Sequence, residues 1–239
     1  TELSVNERHP LIAAEVRGID LRQPLTQTTV DALGALWLQH LLLIFPDQAM
    51  TDAEHIAFGK RFGALEIHPS LAHRSDGNAE IYRVSNVDEA DQLIPPTDSG
   101  WQYLNQSWLW HTDSSFRAIP SKGSILHGIE TTNEGGDTLF ANMYAAYDAL
   151  DDATKQEIEG LWVLHDHDFI LSLSPELSKK QDKGRYAPLP PVEHPLVHLH
   201  PVTGRRALLL SPHTMAGVVG MASAQGRPRA RSSSRRRRW

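Results

Sequence analysis

His111-Thr112-Asp113 sets an imidazole and a carboxylate two residues apart. In an extended strand such side chains share a face, so both can reach one metal ion from adjacent positions. With a distant His they would complete the two-His, one-carboxylate set that suits non-haem Fe(II) and leaves coordination positions open. About one His-x-Asp is expected by chance in a chain of this composition, so the spacing gains meaning only from its neighbours. Before it, Trp108-Leu109-Trp110 reads as a bulky apolar strand, and after it Ser114-Ser115-Phe116-Arg117 reads as that strand leaving the core for a loop. A metal pair belongs at such a pocket edge.

Two other runs could do chemistry. Gly135-Gly136-Asp137-Thr138 is a tight turn into a strand, which either returns a Thr hydroxyl beside the neighbouring strand or is an ordinary glycine hairpin. His165-Asp166-His167-Asp168 places two His on one strand face, but no third ligand is suggested and the run reads as a polar strand end.

These residues need elements to hold them. Residues 11–21 read as a short β region closed by Gly18, followed by a helix capped by Thr26 or Thr28 with Val30, Leu33, Leu36 and Trp37 on its apolar face. Residues 41–45 read as a buried strand. Thr51-Asp52-Ala53-Glu54 has the capping-box spacing, in which hydroxyl and carboxylate each satisfy an orphan backbone donor, and Gly63 can end that helix. Polar loops at 66–80 and 88–107 flank a strand at 81–87 and have the length of lids. Farther on, short strands are predicted at 107–110, 124–129, 137–140, 161–164, 196–200 and 207–210. Helices at 144–150 and 153–159 interrupt them, with Asn142 and Asp151 or Asp152 as caps. Many short strands with few helices predict an antiparallel sandwich or barrel, mainly β with flanking helices.

Composition narrows the chemistry. With 239 residues and no Cys, a disulfide scaffold, a zinc ribbon and a thiol nucleophile are all excluded, so any metal must use the 13 His and the carboxylates. No apolar run has the length of a membrane span, and the first thirty residues lack the apolar core of a signal peptide, which predicts a cytoplasmic protein. The formal charge of −6 hides an asymmetry. Arg227, Arg229, Arg231 and Arg235 to Arg238 lie at the end, leaving 16 basic against 29 acidic side chains in residues 1–226, a net of −13. Such a body argues against nucleic-acid binding, which needs clustered Lys and Arg.

The run from Leu109 to Phe116, the turn Gly135-Gly136-Asp137-Thr138 and the segment Met143-Tyr144-Ala145-Ala146-Tyr147-Asp148-Ala149-Leu150 resemble the taurine dioxygenase and dichlorophenoxyacetate dioxygenase family. The order and spacing of all three agree. The Ser-Ser-Phe after the ligand pair and the Ala-Ala-Tyr-Asp-Ala-Leu helix resemble its herbicide-degrading, aryloxyalkanoate branch more than its taurine branch. The resemblance implies a double-stranded β-helix, or jelly roll, and an enzyme that uses Fe(II), 2-oxoglutarate and O2 to hydroxylate a small carboxylate. Hydroxylation of an ether carbon would give a hemiacetal that releases the phenol; taurine or another sulfonate is the alternative substrate. His111 and Asp113 would be iron ligands and catalytic, Trp110 would lie near the iron, and Thr138 would hydrogen-bond a carboxylate oxygen of 2-oxoglutarate. His200 and His213, with Arg205 or Arg206 between them, match positions near the substrate and could bind its carboxylate. The other reading of that stretch is a surface hairpin. A small-molecule partner is implied, no membrane partner is, and a homo-oligomer is left open.

Residues 1–226 are read as the jelly-roll domain and 227–239, rich in Arg and Ser, as a disordered tail. The family's distal His ligand, and the Arg that pairs with the far carboxylate of 2-oxoglutarate, are not matched, because no His follows His213. The barrel is therefore expected to lack its last strands and the 239-residue chain to be inactive or nearly so. A shift of reading frame accounts for the Arg, Pro, Ala and Ser after Arg227; a noncatalytic remnant whose basic arm binds nucleic acid is the competing reading.

Overall fold

The structure, a computed structural model, describes residues 3–67, 74–75, 77–88, 90, 92–98, 109–169 and 189–221. It contains two apolar clusters, each built on a small sheet.

The first cluster occupies the N-terminal region. Strand β1 (Ser4–Glu7) pairs antiparallel with β2 (Ala14–Arg17), which pairs in parallel with β3 (Leu43–Ile44). Helix α1 (Gln27–His40) starts where the Thr26 hydroxyl accepts from the Thr29 amide and stops at Leu41, whose left-handed φ of 65° breaks the repeat. In α2 (Asp52–Lys60) the full Thr51/Glu54 capping box is present. Both helices turn their apolar residues onto the sheet, so Val16, Leu21, Leu33 and Phe58 form a buried cluster, bordered by Leu36, Leu43, Phe45 and Phe62. A hairpin of β4 (Arg74–Ser75) and β5 (Asn78–Tyr82) packs against α2.

The second cluster belongs to the C-terminal half. Helix α3 (Met143–Asp148) is capped by Asn142, whose amide also donates to the Leu11 carbonyl at 2.6 Å and ties the two regions together. Helix α4 (Asp152–Ile158) is capped by Asp151. It leads into β6 (Trp162–His165), the centre of an antiparallel sheet between β10 (Met215–Val218) and β7 (Val192–Pro195). The hairpin β8 (Val197–Leu199) and β9 (Arg206–Leu208) packs on α3. Val163, Leu196 and Met215 are the buried residues of this cluster.

Several expected strands differ. The run 41–45 contributes only Leu43–Ile44, because Leu41 is spent ending α1. The strand expected at 81–87 begins and ends earlier, at Asn78–Tyr82, leaving Val87 in an isolated bridge to Leu93. Residues 109–110, 124–129 and 137–140 form no strand, and residues 107–108 lie outside the described ones. Alternating apolar residues favour a strand only where a partner supplies its ladder hydrogen bonds. Among the described residues none does so for this stretch, and Leu126, Ile129, Leu139 and Phe140 are exposed. The tail at 227–239 lies outside the described residues. No helix among the described residues is long and apolar enough to cross a membrane.

Candidate metal centre

His111 and Asp113 meet, although not by the expected route. Residues 111–116 form no strand; Asp113 opens a turn, and Ser114 takes a left-handed φ of 55°. His111 Nδ1 donates to the Leu109 carbonyl at 2.8 Å, which aims Nε2 at Asp113 Oδ1, 3.3 Å away. The other oxygen, Asp113 Oδ2, accepts from the Ser124 hydroxyl at 2.6 Å. Each ligand candidate is thus oriented through the atom it would not offer to a metal, the outer-sphere arrangement that fixes an imidazole tautomer and a carboxylate rotamer. Asp113 foremost raises the pKa of His111 against the opposing effect of burial. These two groups would hold a divalent cation with the imidazole deprotonated, so metal binding would compete with protonation of His111.

The turn is held from two sides. On one, Glu66 in the loop after α2 accepts from Ser114 Oγ at 2.6 Å, from Arg117 Nε at 2.6 Å and from Ser121 Oγ. Burial opposes the charge on Glu66, but these donors together hold its carboxyl below the usual range. Farther along, Gly123 lies flat on Trp37 of α1, where an added Cβ would fall 2.1 Å from the ring. No larger residue fits there without displacing the segment.

On the other side lies a buried polar core. Thr112 donates its amide to Ser211 Oγ at 3.3 Å and its hydroxyl to the Leu210 carbonyl at 3.2 Å. Thr214 Oγ1 lies 2.8 Å from Ser115 Oγ, 2.9 Å from Ser211 Oγ and 3.1 Å from His165 Nδ1. Ser115, Ser211 and His165 are all 0% exposed. Burying hydroxyls is tolerable only when each is bonded, and here each partner satisfies the next. The exception is His165 Nε2, buried without a hydrogen-bond partner, in a ring that packs edge-on against His194 at 5.6 Å. Burial, then His194, push the His165 pKa down to about 4.

This network carries His213 to the site. Its ring centroid lies 5.6 Å from that of His111. Burial foremost, then His111 and His167, push its pKa down to about 4, so it is neutral at pH 7. His167 stacks edge-on against Phe116 at 4.6 Å and bonds Asp168 at 2.8 Å. The run 165–168 is therefore packing and hydrogen bonding around the site, with His165 in β6 and His167 beyond its end.

The remaining expected site residues stand apart. His200 follows β8, where its Nδ1 accepts from the amides of Val202 and Thr203 and its ring packs on Tyr144. Arg205 stacks over the Tyr144 ring at 4.1 Å. Arg206 bonds Tyr147 and Glu159. Thr138 follows the paired left-handed Gly135 and Gly136 in an exposed, unpaired stretch, and Trp110 is 54% exposed. Glu66, Ser115, Ser124, His194 and Thr214 were not singled out in the sequence. Only Ser115 carried a local signal, its place beside the ligand pair; the others reach the site through long-range contacts.

The donor set fits a divalent metal such as Fe(II): an imidazole nitrogen, which ligates once deprotonated, and a carboxylate oxygen, both pre-oriented. Among the described residues no third His, Asp or Glu joins them in a metal-holding group.

Residues 4–230 match the taurine catabolism dioxygenase TauD, TfdA family. The alpha-ketoglutarate-dependent 2,4-dichlorophenoxyacetate dioxygenase of Cupriavidus pinatubonensis is 35% identical over 231 residues, which cover 93% of this chain and 77% of that protein. The (S)-phenoxypropionate/alpha-ketoglutarate-dioxygenase of Sphingobium herbicidovorans is 35% identical over 202 residues, 81% of this chain and 65% of that protein. Among solved structures, that of AAD-2 in complex with Mn(II) and N-oxalylglycine superposes with a TM-score of 0.77 at 31% identity, covering 95% of this chain and 77% of that one.

Proposed function

This chain belongs to the TauD, TfdA family of dioxygenases, and from that premise we propose that it hydroxylates a small aryloxyalkanoate on a jelly-roll scaffold. Family membership makes it an enzyme dependent on Fe(II), 2-oxoglutarate and O2. The observation that carries the site assignment is the paired orientation of His111 and Asp113, each fixed through its far atom by Leu109 and Ser124. The bound iron and 2-oxoglutarate supply oxidative decarboxylation: O2 and 2-oxoglutarate become succinate and CO2 while one oxygen atom enters a substrate C–H bond. When that carbon bears an ether oxygen, the hydroxylated product collapses to the phenol and a carbonyl compound.

The protein's own residues hold and orient. His111 and Asp113 would bind the metal; Thr138, in keeping with the resemblance, would meet a carboxylate oxygen of 2-oxoglutarate. His213, buried and neutral beside His111, can donate one ring N–H to a substrate carboxylate without the repulsion a second cation would bring to the metal. His200 and Arg205 were expected beside it. In this arrangement they stabilise the β8–β9 hairpin on Tyr144, so the proposal gives substrate contact to His213.

The aryloxyalkanoate reading rests on the two phenoxy-acid relatives together with the sequence features of that branch. The test is succinate formation from 2-oxoglutarate with Fe(II), comparing 2,4-dichlorophenoxyacetate, 2-phenoxypropionate and taurine. A phenoxy acid should stimulate most and release its phenol. Because the 239-residue chain is expected to be nearly inactive, a version repaired in frame after Arg227 is assayed beside it. Greatest stimulation of that version by taurine would move the chain to the sulfonate branch, and no stimulation of it by any of them would reject the substrate class.

A further inference from the structure

Ser114 sits immediately after Asp113 in a backbone conformation that L residues with a Cβ rarely adopt, φ 55°. Such a residue persists only where its surroundings over-determine it. On the Ser114 side of the turn one side chain gathers the side-chain hydrogen bonds. Glu66 Oε2 accepts the Ser114 hydroxyl at 2.6 Å and also that of Ser121, while Oε1 takes Arg117 Nε at 2.6 Å. Arg117 extends the same clamp to the Ile67 carbonyl at 2.8 Å, and its own carbonyl accepts from His194 at 2.8 Å. The Arg117 amide closes the turn onto the Ser114 carbonyl at 2.9 Å. One carboxylate thereby gathers three donors from residues 114–121, across 48 to 55 residues of sequence, next to the proposed ligand Asp113.

We infer that Glu66 is a positioning residue for the metal centre: by gripping Ser114 it holds the left-handed turn that presents Asp113 to His111. The inference rests on the assignment of His111 and Asp113 as metal ligands, but the ordering it describes can be read without metal.

Glycine adopts a positive φ without the steric penalty of a Cβ, so substitution at residue 114 separates the grip from the conformation it maintains. Four variants of the full chain serve: Glu66→Ala, Ser114→Ala, Ser114→Gly and the double variant Glu66→Ala with Ser114→Gly. Two readouts are needed, Co(II) affinity from visible absorption and hydrogen exchange of the segment 109–121. Glu66→Ala and Ser114→Ala should each weaken Co(II) binding by about tenfold to a hundredfold and speed exchange across the turn. Ser114→Gly should remain within about threefold of the parent, and the double variant should recover most of what Glu66→Ala loses. A side chain that merely stabilised the fold would not be rescued by a glycine placed beside Asp113.

Unchanged affinity and exchange in Ser114→Ala, or a double variant no better than Glu66→Ala, would overturn the inference. If His111→Ala binds Co(II) as the parent does, or the parent binds none, the ligand assignment fails instead. The exchange pattern still decides whether Glu66 holds the turn.

Discussion

The N-terminal region and the site region bury different matter. Around α1 and α2 the core is apolar, centred on Val16, Leu21, Leu33 and Phe58. Behind His111 and Asp113 the buried groups include Ser115, Ser211, Thr214, His165 and His194, set beside a small apolar cluster of Val163, Leu196 and Met215, while apolar side chains at Ile119, Leu126, Ile129 and Leu139 are exposed. An apolar core is non-directional and tolerates small adjustments of its members; a hydrogen-bonded core fixes distances and angles. The first suits a scaffold. The second suits the place where the proposed ligands His111 and Asp113 are held in one orientation.

The contrast can be broken at Leu33, 1% exposed at the centre of the apolar cluster. Leu33→Ala should lower stability by about 2–5 kcal/mol through lost transfer energy and the cavity left behind. Chemical denaturation would measure it, and a loss below 1 kcal/mol would mean that the cluster is not the scaffold's core.

Acid should act on the other region first. His165 has its pKa lowered to about 4 in the fold, against an ordinary value of 6.5. Between those values the unfolded chain binds more protons than the folded one, so the stability contributed by neutral His165 is present above about pH 6.5 and is lost as pH falls toward 4. The full effect is on the order of 3 kcal/mol. His165→Asn places an amide where Nδ1 meets Thr214 but removes one titrating group, and should reduce the slope of the stability profile in that window while the part due to His213 remains. An unchanged slope in urea denaturation from pH 6.5 to 4.5 would place the acid sensitivity elsewhere.

Thr214→Val is the smallest of these changes. It keeps the shape and removes the hydroxyl that joins Ser115, Ser211 and His165, which should cost about 1–3 kcal/mol. Additivity with His165→Asn, which shares that hydroxyl, would show that the buried groups do not act as a network.

The two regions were also unequally legible. Thr26, the Thr51/Glu54 box, Asn142 and Asp151 mark helix starts through local hydrogen bonds, and all four cap the helices observed. His111 and Asp113 were singled out by their spacing together with the motif around them, and the two side chains do approach each other, although the strand expected to present them is a turn. Its actual support comes from Glu66, Ser124, Ser211 and Thr214, residues with no shared local pattern. Their roles depend on contacts across as many as 99 residues, and no periodicity encodes that. The strands expected at 124–129 and 137–140 fail for the same reason: a strand is completed by its partner, and alternation names no partner.

The most direct test of the account is Mn(II) binding to the full chain, read by the loss of the free-ion magnetic resonance signal, with His111→Ala and Asp113→Ala alongside and circular dichroism as the control for folding. Each variant should keep the parent's spectrum and lose more than about a hundredfold in affinity, because each removes one ligand from an oriented pair. Parental affinity in either variant would contradict the assignment of His111 and Asp113 as the metal centre.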